Sequence, residues 1–416
     1  MKGTILILIF AFAYTFITAQ KTERYEGVYS NDQHEAATAN YSFYRDAKTR
    51  KEVKHGSFRY IVRIKSPEKR LYRNISGTYK DGWKNGVWNY SFSTKDYNTN
   101  NDGYFYTYSI VLEANYDNGW PEGEWNYTAF IKRRNSVRSN GRTKWGAYEI
   151  VENTRLRLNY KRGVLVDSLW IKGVDRSIAA FMDKSSFLQG QFLLSKKGRT
   201  INTTFKDGFA ITKTENKEAT IIVNPAYDYY KKNKSNLNMA GARLDTSSID
   251  LYKEELNMTV FNPEYFNYKY IDGDRTISFV GSRKKMKVVH KGMYTRNLSV
   301  YISPEEQNTI QYVYGFYNKV KQQASKCRTN YKNSNSDIQL RKKMDQLNAM
   351  EAKFKAYTCQ LRVYKSTLIP KEIANKSSHC GSDIIINEGN TRIQILNTIY
   401  NKAKALDTKS KSIKCN

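Results

Sequence analysis

Hydrophobic and polar positions follow two different periods along this chain, and the change falls near residue 302. Before it, aromatic and β-branched residues alternate with polar ones in short runs such as 76–80, 87–93 and 104–116, the period-two signature of strands with one buried face. Asp81-Gly82 and Asn85-Gly86 separate two of these runs, and such dipeptides accept the positive φ that tight hairpin turns require. Trp88 and Tyr90 are two apart, so they share a face and can cover the neighbouring hairpin. After residue 302 apolar residues recur at steps of three and four. Ser303, Pro304 and Glu306 form a helix start with a capping box, and Ile310, Val313, Tyr317, Val320 and Ala324 continue it. A second helix is predicted over 337–361, with Leu340, Met344, Leu347, Phe354, Tyr357 and Leu361 on one stripe. A third covers 390–406 through Ile393, Leu396, Ile399, Tyr400 and Ala403. The fold class expected is a mainly β N-terminal region of stacked antiparallel hairpins, followed by an α-helical three-helix bundle.

The strand-forming half repeats itself. Gly82 and Gly119 are 37 residues apart, as are Trp88 and Trp125. A weaker third copy at 158–172 brings in Trp170, and a fourth at 203–213 keeps Phe205 and the Asp207-Gly208 turn. A leading strand is expected at 54–64. Fixed-period self-similarity marks a repeat architecture that grows by stacking. The pattern Gly77, Tyr79, Gly82, Gly86, Trp88, Tyr90 and its copy Tyr116, Gly119, Gly123, Trp125, Tyr127 resembles the MORN repeat and its bacterial variant. Ala114 replaces the leading glycine of the second copy, and the spacing is longer than is usual for that family. The resemblance covers residues 54–213. It implies an elongated, twisted sheet of hairpins serving as a scaffold for protein or membrane contact.

Residues 1–19 read as an export signal, with Lys2 as the positive start, an apolar stretch over 5–17, and Ala19 before the cut. No later stretch is apolar enough to span a membrane, so none is expected after signal cleavage. Three further regions follow: 20–213 as the MORN-like hairpin repeats, 214–302 as a mixed, mostly β extension, and 303–416 as a disulfide-bonded helical bundle. In the extension, 219–230 starts like a strand and ends at a turn, 266–281 resembles a hairpin about Asp272-Gly273, and 283–292 reads as a lysine-guarded edge strand. The four cysteines, Cys327, Cys359, Cys380 and Cys415, all lie in the helical quarter and contain no Cys-x-x-Cys pair, which favours disulfides over zinc. Helix order places Cys327 and Cys415 at one end and Cys359 and Cys380 at the other, so the expected pairs are Cys327–Cys415 and Cys359–Cys380. An exported protein, periplasmic or secreted, is the consistent address.

Lys and Arg outnumber Asp and Glu by 69 to 39, a net charge of +30 that attracts polyanions. The insertion at 131–146 concentrates this charge in Lys132, Arg133, Arg134, Arg138, Arg142 and Lys144 with no acid among them, and these residues are the candidate anion-binding site. Catalytic groupings are weak. The four histidines, His34, His55, His290 and His379, make no metal-binding spacing, and His379-Cys380 places a thiol already committed to a disulfide beside a base. No catalytic residue, metal or cofactor is expected. The function expected is a non-enzymatic scaffold or binding protein that contacts an unknown protein, or an anionic envelope or polysaccharide surface, without specific nucleic-acid recognition. The alternative is an envelope enzyme acting on polysaccharide through scattered acids such as Glu113, Glu122 and Glu124.

Overall fold

The computed structural model describes residues 21–29, 37–96, 103–216, 218–220, 224–249, 266, 272–275, 277–280, 285–288, 293–334 and 337–415. The export signal expected at 1–19 lies outside the described residues, as do His34 and His290. The described chain is strands first and helices last, and it divides into two compact units. One holds the chain through Gly208 with Thr212–Ile221 and Ser248–Thr295; the other holds Phe209–Ile211, Ile222–Ser247 and Arg296–Asn416. The expected extension at 214–302 is therefore shared between two bodies.

The first unit is built on a long antiparallel sheet. Its strands are β1 (Glu23–Val28), β2 (Ala37–Arg45), β3 (Glu52–Lys65), β4 (Lys69–Lys80), β5 (Trp83–Asp96), β6 (Phe105–Asp117), β7 (Trp120–Pro121) and β8 (Gly123–Arg134). A separate hairpin, β9 (Ser136–Ser139) and β10 (Arg142–Trp145), precedes β11 (Glu149–Lys161), β12 (Val164–Lys172), β13 (Arg176–Met182), β14 (Leu188–Lys196), β15 (Arg199–Lys206), β16 (Phe209–Glu215, its first three residues counted with the second unit) and β17 (Glu218–Thr220). Apart from the β9–β10 hairpin and short β7, which pairs with β6, the strands are hydrogen-bonded in sequence order. Such a meander needs only local turns. Asp81-Gly82, Asn118-Gly119, Arg162-Gly163 and Asp207-Gly208 each have positive φ at both residues, between 47° and 83°, the geometry of a two-residue hairpin turn. Each rung is also tied to the one before. The Gly82 amide donates to the Lys54 carbonyl, Gly119 to Lys84, and Gly163 to Pro121, all at 2.8 Å.

Apart from a few bulges, the side chains alternate between a buried and an open face. On the buried face a line of rings crosses seven strands: Tyr41 to Phe58 at 6.0 Å, Phe58 to Trp88 at 5.6 Å, Trp88 to Tyr116 at 6.5 Å, Tyr116 to Trp125 at 5.1 Å, and Trp125 to Tyr160 at 5.0 Å. Trp88, Tyr90 and Trp125 are fully buried, and both indoles donate to backbone carbonyls, Trp88 to Thr78 at 3.1 Å and Trp125 to Asn115 at 2.8 Å. Gly77 owes its place to this ladder. A Cβ there would lie 2.3 Å from the Trp88 ring, so the indole needs a residue with no side chain beneath it.

One expectation for this half requires correction. Trp170 does not continue the ladder. Counting from the turn glycine, Trp88 and Trp125 stand six residues after Gly82 and Gly119, and the sixth residue after Gly163 is Leu169. Leu169 is buried and Trp170, one position on, is 41% exposed on the other face, as period-two geometry demands. The first arm of the hairpin expected over 266–281 about Asp272-Gly273, residues 267–271, lies outside the described residues. Beyond it β19 (Ile277–Val280) pairs with β20 (Lys285–Val288), and residues 272–275 hydrogen-bond to the ends of the first two rungs. The Lys84 amide donates to the Gly273 carbonyl at 2.9 Å, the Arg275 amide to Gly119 at 2.8 Å, and the Tyr79 hydroxyl to the Asp272 carbonyl at 2.8 Å. The polar groups of this strap are satisfied by partners distant in sequence.

In the second unit, β18 (Ala242–Ser248) pairs with β21 (Tyr294–Val300), most of both strands lying in this body. The helices are α1 (Pro225–Asn233), α2 (Pro304–Asn333), α3 (Ile338–Ser366), α4 (Pro370–Ser377) and α5 (Arg392–Lys411). The stretch expected to start as a strand and end at a turn, 219–230, does start in β17, but its end is α1 where a turn was expected, because Asn224 caps the helix by accepting from the Ala226 amide at 3.0 Å and Pro225 presets the first turn. The capping box of α2 forms as expected, with Ser303 and Glu306 each satisfying the other's amide. Helices α2, α3 and α5 share a core of Ile310, Val313, Val320, Leu347, Phe354, Leu361, Ile395 and Ile399. Cys327 and Cys415 are bonded with Cα atoms 5.2 Å apart, and Cys359 and Cys380 with 5.6 Å, the pairs that helix order singled out. Arg392, almost fully buried at the start of α5, donates to the carbonyls of Tyr364, Thr367 and Leu368 and thereby closes the C-terminal end of α3.

Candidate anion-binding face

The open face of the sheet is organised by register. One row of cross-strand neighbours runs Glu26, Asn40, Arg59, Ser76, Asn89, Glu113, Asn126, Arg157 and Trp170. The next runs Asn74, Ser91, Val111, Thr128, Arg155, Lys172 and Ser177. A third holds Arg63, Tyr72, Ser93, Ser109, Phe130 and Asn153, and a fourth Lys65, Arg70, Lys95, Thr107 and Lys132. Glu26 and Glu113 are the acids in these four rows. Neighbouring strands lie about 4.8 Å apart, well inside the screening length of about 8 Å at physiological salt, so cations along a row act on one anion together. Arg155 and Lys172 stand directly opposite each other, an arrangement of like charges that costs stability.

The basic insertion joins the last row through Lys132. It is a hairpin, β9 and β10 turning at Asn140-Gly141, and its root cations rest on rings: Lys132 over Tyr148 at 4.2 Å, Arg133 over Tyr104 at 4.3 Å, and Arg134 over Trp145 at 4.0 Å. Arg133 also binds both oxygens of Glu149, at 2.9 and 3.2 Å. That pair lowers the Glu149 pKa and raises that of Arg133, its hydrogen bonds being the largest cause of each shift. Arg142 and Lys144 are exposed, and Arg138 pairs with Thr143 in the hairpin register. The insertion therefore does not offer six equivalent charges, because Arg133 is already matched by an acid just beyond the stretch that contains none.

The acids of the enzyme alternative are placed apart in role. Glu113 is exposed, Glu122 accepts from the Arg162 amide at 2.7 Å, and Glu124 binds Arg157 at 2.6 Å. Hydrogen bonds from Asn126 and then Arg157 hold the Glu124 pKa below its ordinary value, which favours the charged partner over a proton donor. Among the described residues no group of three His, Cys, Asp or Glu side chains is placed to hold a metal, and no helix is long and apolar enough to cross a membrane.

Sequence reasoning passed over two lysines at the edge of the ladder. Lys54 donates to Tyr29 and Asp272, each at 2.7 Å, and lies over the rings of Tyr29, Tyr41, Phe58 and Tyr79. Burial pulls its pKa down, yet Tyr29 and Asp272 outweigh that and hold it above the ordinary lysine value. Lys84, one rung on, is fully buried against Trp88, Tyr90 and Tyr116. There burial dominates and lowers the pKa to about 8, although Asp274 and Asp272 oppose it. No local signal in the sequence marks either position, since each is set by a tertiary contact in which the next turn glycine donates to the lysine carbonyl, and Pro121 holds the equivalent place on the third rung. Comparison with protein-family models, with curated proteins and with solved structures gave no match.

Proposed function

We propose that this chain is an exported, non-enzymatic binding protein whose stacked hairpin sheet holds an anionic polymer of the cell envelope, with an acidic polysaccharide as the ligand. The single observation that supports it most is the register of the open face, where Arg59, Arg63, Lys65, Lys132, Arg155 and Lys172 recur with few acids between them. Such a surface adds many weak, screened contacts along one polyanion instead of gripping one small ion. In this reading the sheet is a MORN-like scaffold, and the three long helices form a separate, disulfide-bonded bundle. The two disulfides support an oxidising address outside the cytoplasm.

Retention on an immobilised sulfated polysaccharide tests the reading. Reversing Arg59, Arg63 and Lys65 to Glu together is expected to lower the eluting salt concentration markedly, and reversing Arg134, Arg142 and Lys144 to lower it less. Unchanged elution after both sets would reject the proposal.

A further inference from the structure

We propose that the hollow between β11 and β12 on the open face is a subsite for one acidic sugar residue, stacked on the Trp170 indole with its carboxylate or sulfate between Arg155 and Lys172. This deepens the polysaccharide reading and rests on it. The hollow encloses about 460 Å³, within the range of small-ligand sites, and is lined by Asn153, Arg155, Trp170, Lys172, Gly173 and Val174 among others.

Three independent features converge there. Trp170 is 41% exposed, whereas Trp88 and Trp125 in the first two rungs are fully buried, so this indole contributes nothing to the ladder. A flat, exposed indole suits the C–H face of a pyranose ring, since its apolar surface is large and its rotamer cost small. Arg155 and Lys172 face each other in register, and neither forms an ion pair among the described residues. Their mutual repulsion is relieved by an anion placed between them, and the guanidinium offers two parallel donors to a carboxylate or sulfate. Asn153, exposed beside them, supplies both a donor and an acceptor for ring hydroxyls. The hollow holds one indole and no succession of stacking platforms, which favours a sugar over a single-stranded nucleic acid.

The test uses the full chain with an oligogalacturonate tetramer and a neutral galactose tetramer, followed by calorimetry and tryptophan fluorescence. The acidic tetramer is expected to bind at least tenfold more tightly than the neutral one. Trp170→Ala and Lys172→Gln, each checked for unchanged circular dichroism, should each weaken the acidic tetramer at least tenfold, while Trp120→Ala leaves it unaltered. Equal binding by wild type, Trp170→Ala and Lys172→Gln overturns the subsite. So does a single-stranded oligonucleotide, or a vesicle with anionic lipid, that binds more tightly through these same residues. Polymer retention separates the two claims: if wild type is retained on the polysaccharide and the tetramer ignores Trp170, only the subsite fails. If wild type is not retained, the reading beneath it fails.

Discussion

Replacing Gly77 by Ala adds one methyl group at the point where the ladder has no room for it. Its Cβ would stand 2.3 Å from Trp88 Cδ2 and 2.4 Å from Cε2, both far inside van der Waals contact. The indole cannot step aside, because Tyr79 at 4.9 Å, Phe58 at 5.6 Å and Lys84 at 5.2 Å flank it and its Nε1 is tied to the Thr78 carbonyl. Overpacking of this kind costs about 1–3 kcal/mol, and a stretched or broken indole hydrogen bond adds about 1 kcal/mol. The smaller entropy of an unfolded alanine returns about 0.4–1 kcal/mol, leaving a net loss of about 2 kcal/mol. All six tryptophans, Trp83, Trp88, Trp120, Trp125, Trp145 and Trp170, lie in the sheet unit, so intrinsic fluorescence during urea unfolding follows that unit alone. The midpoint should fall by about 1 M urea, given slopes of about 2 kcal/mol per M. The chain already contains compensated versions of this pair. The residues eleven positions before Trp125 and Leu169 are Ala114 and Leu158, so the rungs pair Gly with Trp, Ala with Trp, and Leu with Leu. Gly77→Leu combined with Trp88→Leu, a copy of the third rung, should therefore be more stable than Gly77→Leu alone. A Gly77→Ala protein as stable as wild type would refute the packing argument.

Lys84 sets a pH dependence of known sign. Its pKa falls to about 8 on folding, so between pH 8 and 10.5 the unfolded chain binds more protons and the sheet gains stability as pH rises through that window. Tyr41, Tyr79 and Tyr90, whose pKa values burial raises, act in the opposite sense near pH 10, so the Lys84 effect is read as the urea midpoint of wild type minus that of Lys84→Met, which should rise between pH 8 and 10. In the helical unit, Arg392→Ala strands three carbonyls at the end of α3 and is expected to cost about 3 kcal/mol, with Arg392→Lys recovering little of it, as read by circular dichroism at 222 nm. The chain-entropy relation assigns about 4.6 kcal/mol to a disulfide spanning 88 residues and about 3.3 kcal/mol to one spanning 21. Replacing Cys327 and Cys415 by Ser should therefore lower the helical midpoint more than replacing Cys359 and Cys380, and equal losses would contradict that ranking.

By itself the sequence determined the elements that depend on near neighbours. The alternation of aromatic and polar residues set the strands, Asp81-Gly82 and Asp207-Gly208 set their turns although Asn85-Gly86, with the same chemistry, lies inside β5, and the 37-residue period announced that one rung would be laid on the next. Ser303 with Glu306 and the apolar stripe after it set the first long helix, and helix order was enough to sort four cysteines into two ends. Each of these rests on a few residues whose backbone preferences agree. Tertiary structure decided what those preferences leave open. Trp170 looks like the third ladder tryptophan, but a strand has two faces, and one residue of offset sends it to solvent beside Arg155 and Lys172. Asp272-Gly273 has turn chemistry in the sequence, but only the fold shows that its two carbonyls and one carboxylate meet donors on Tyr79, Lys84 and Lys54, about two hundred residues away. The charge count gave the sign of the surface. Only the pairing register placed those charges in rows, because a row is made of residues that share nothing in sequence except the strand beside them.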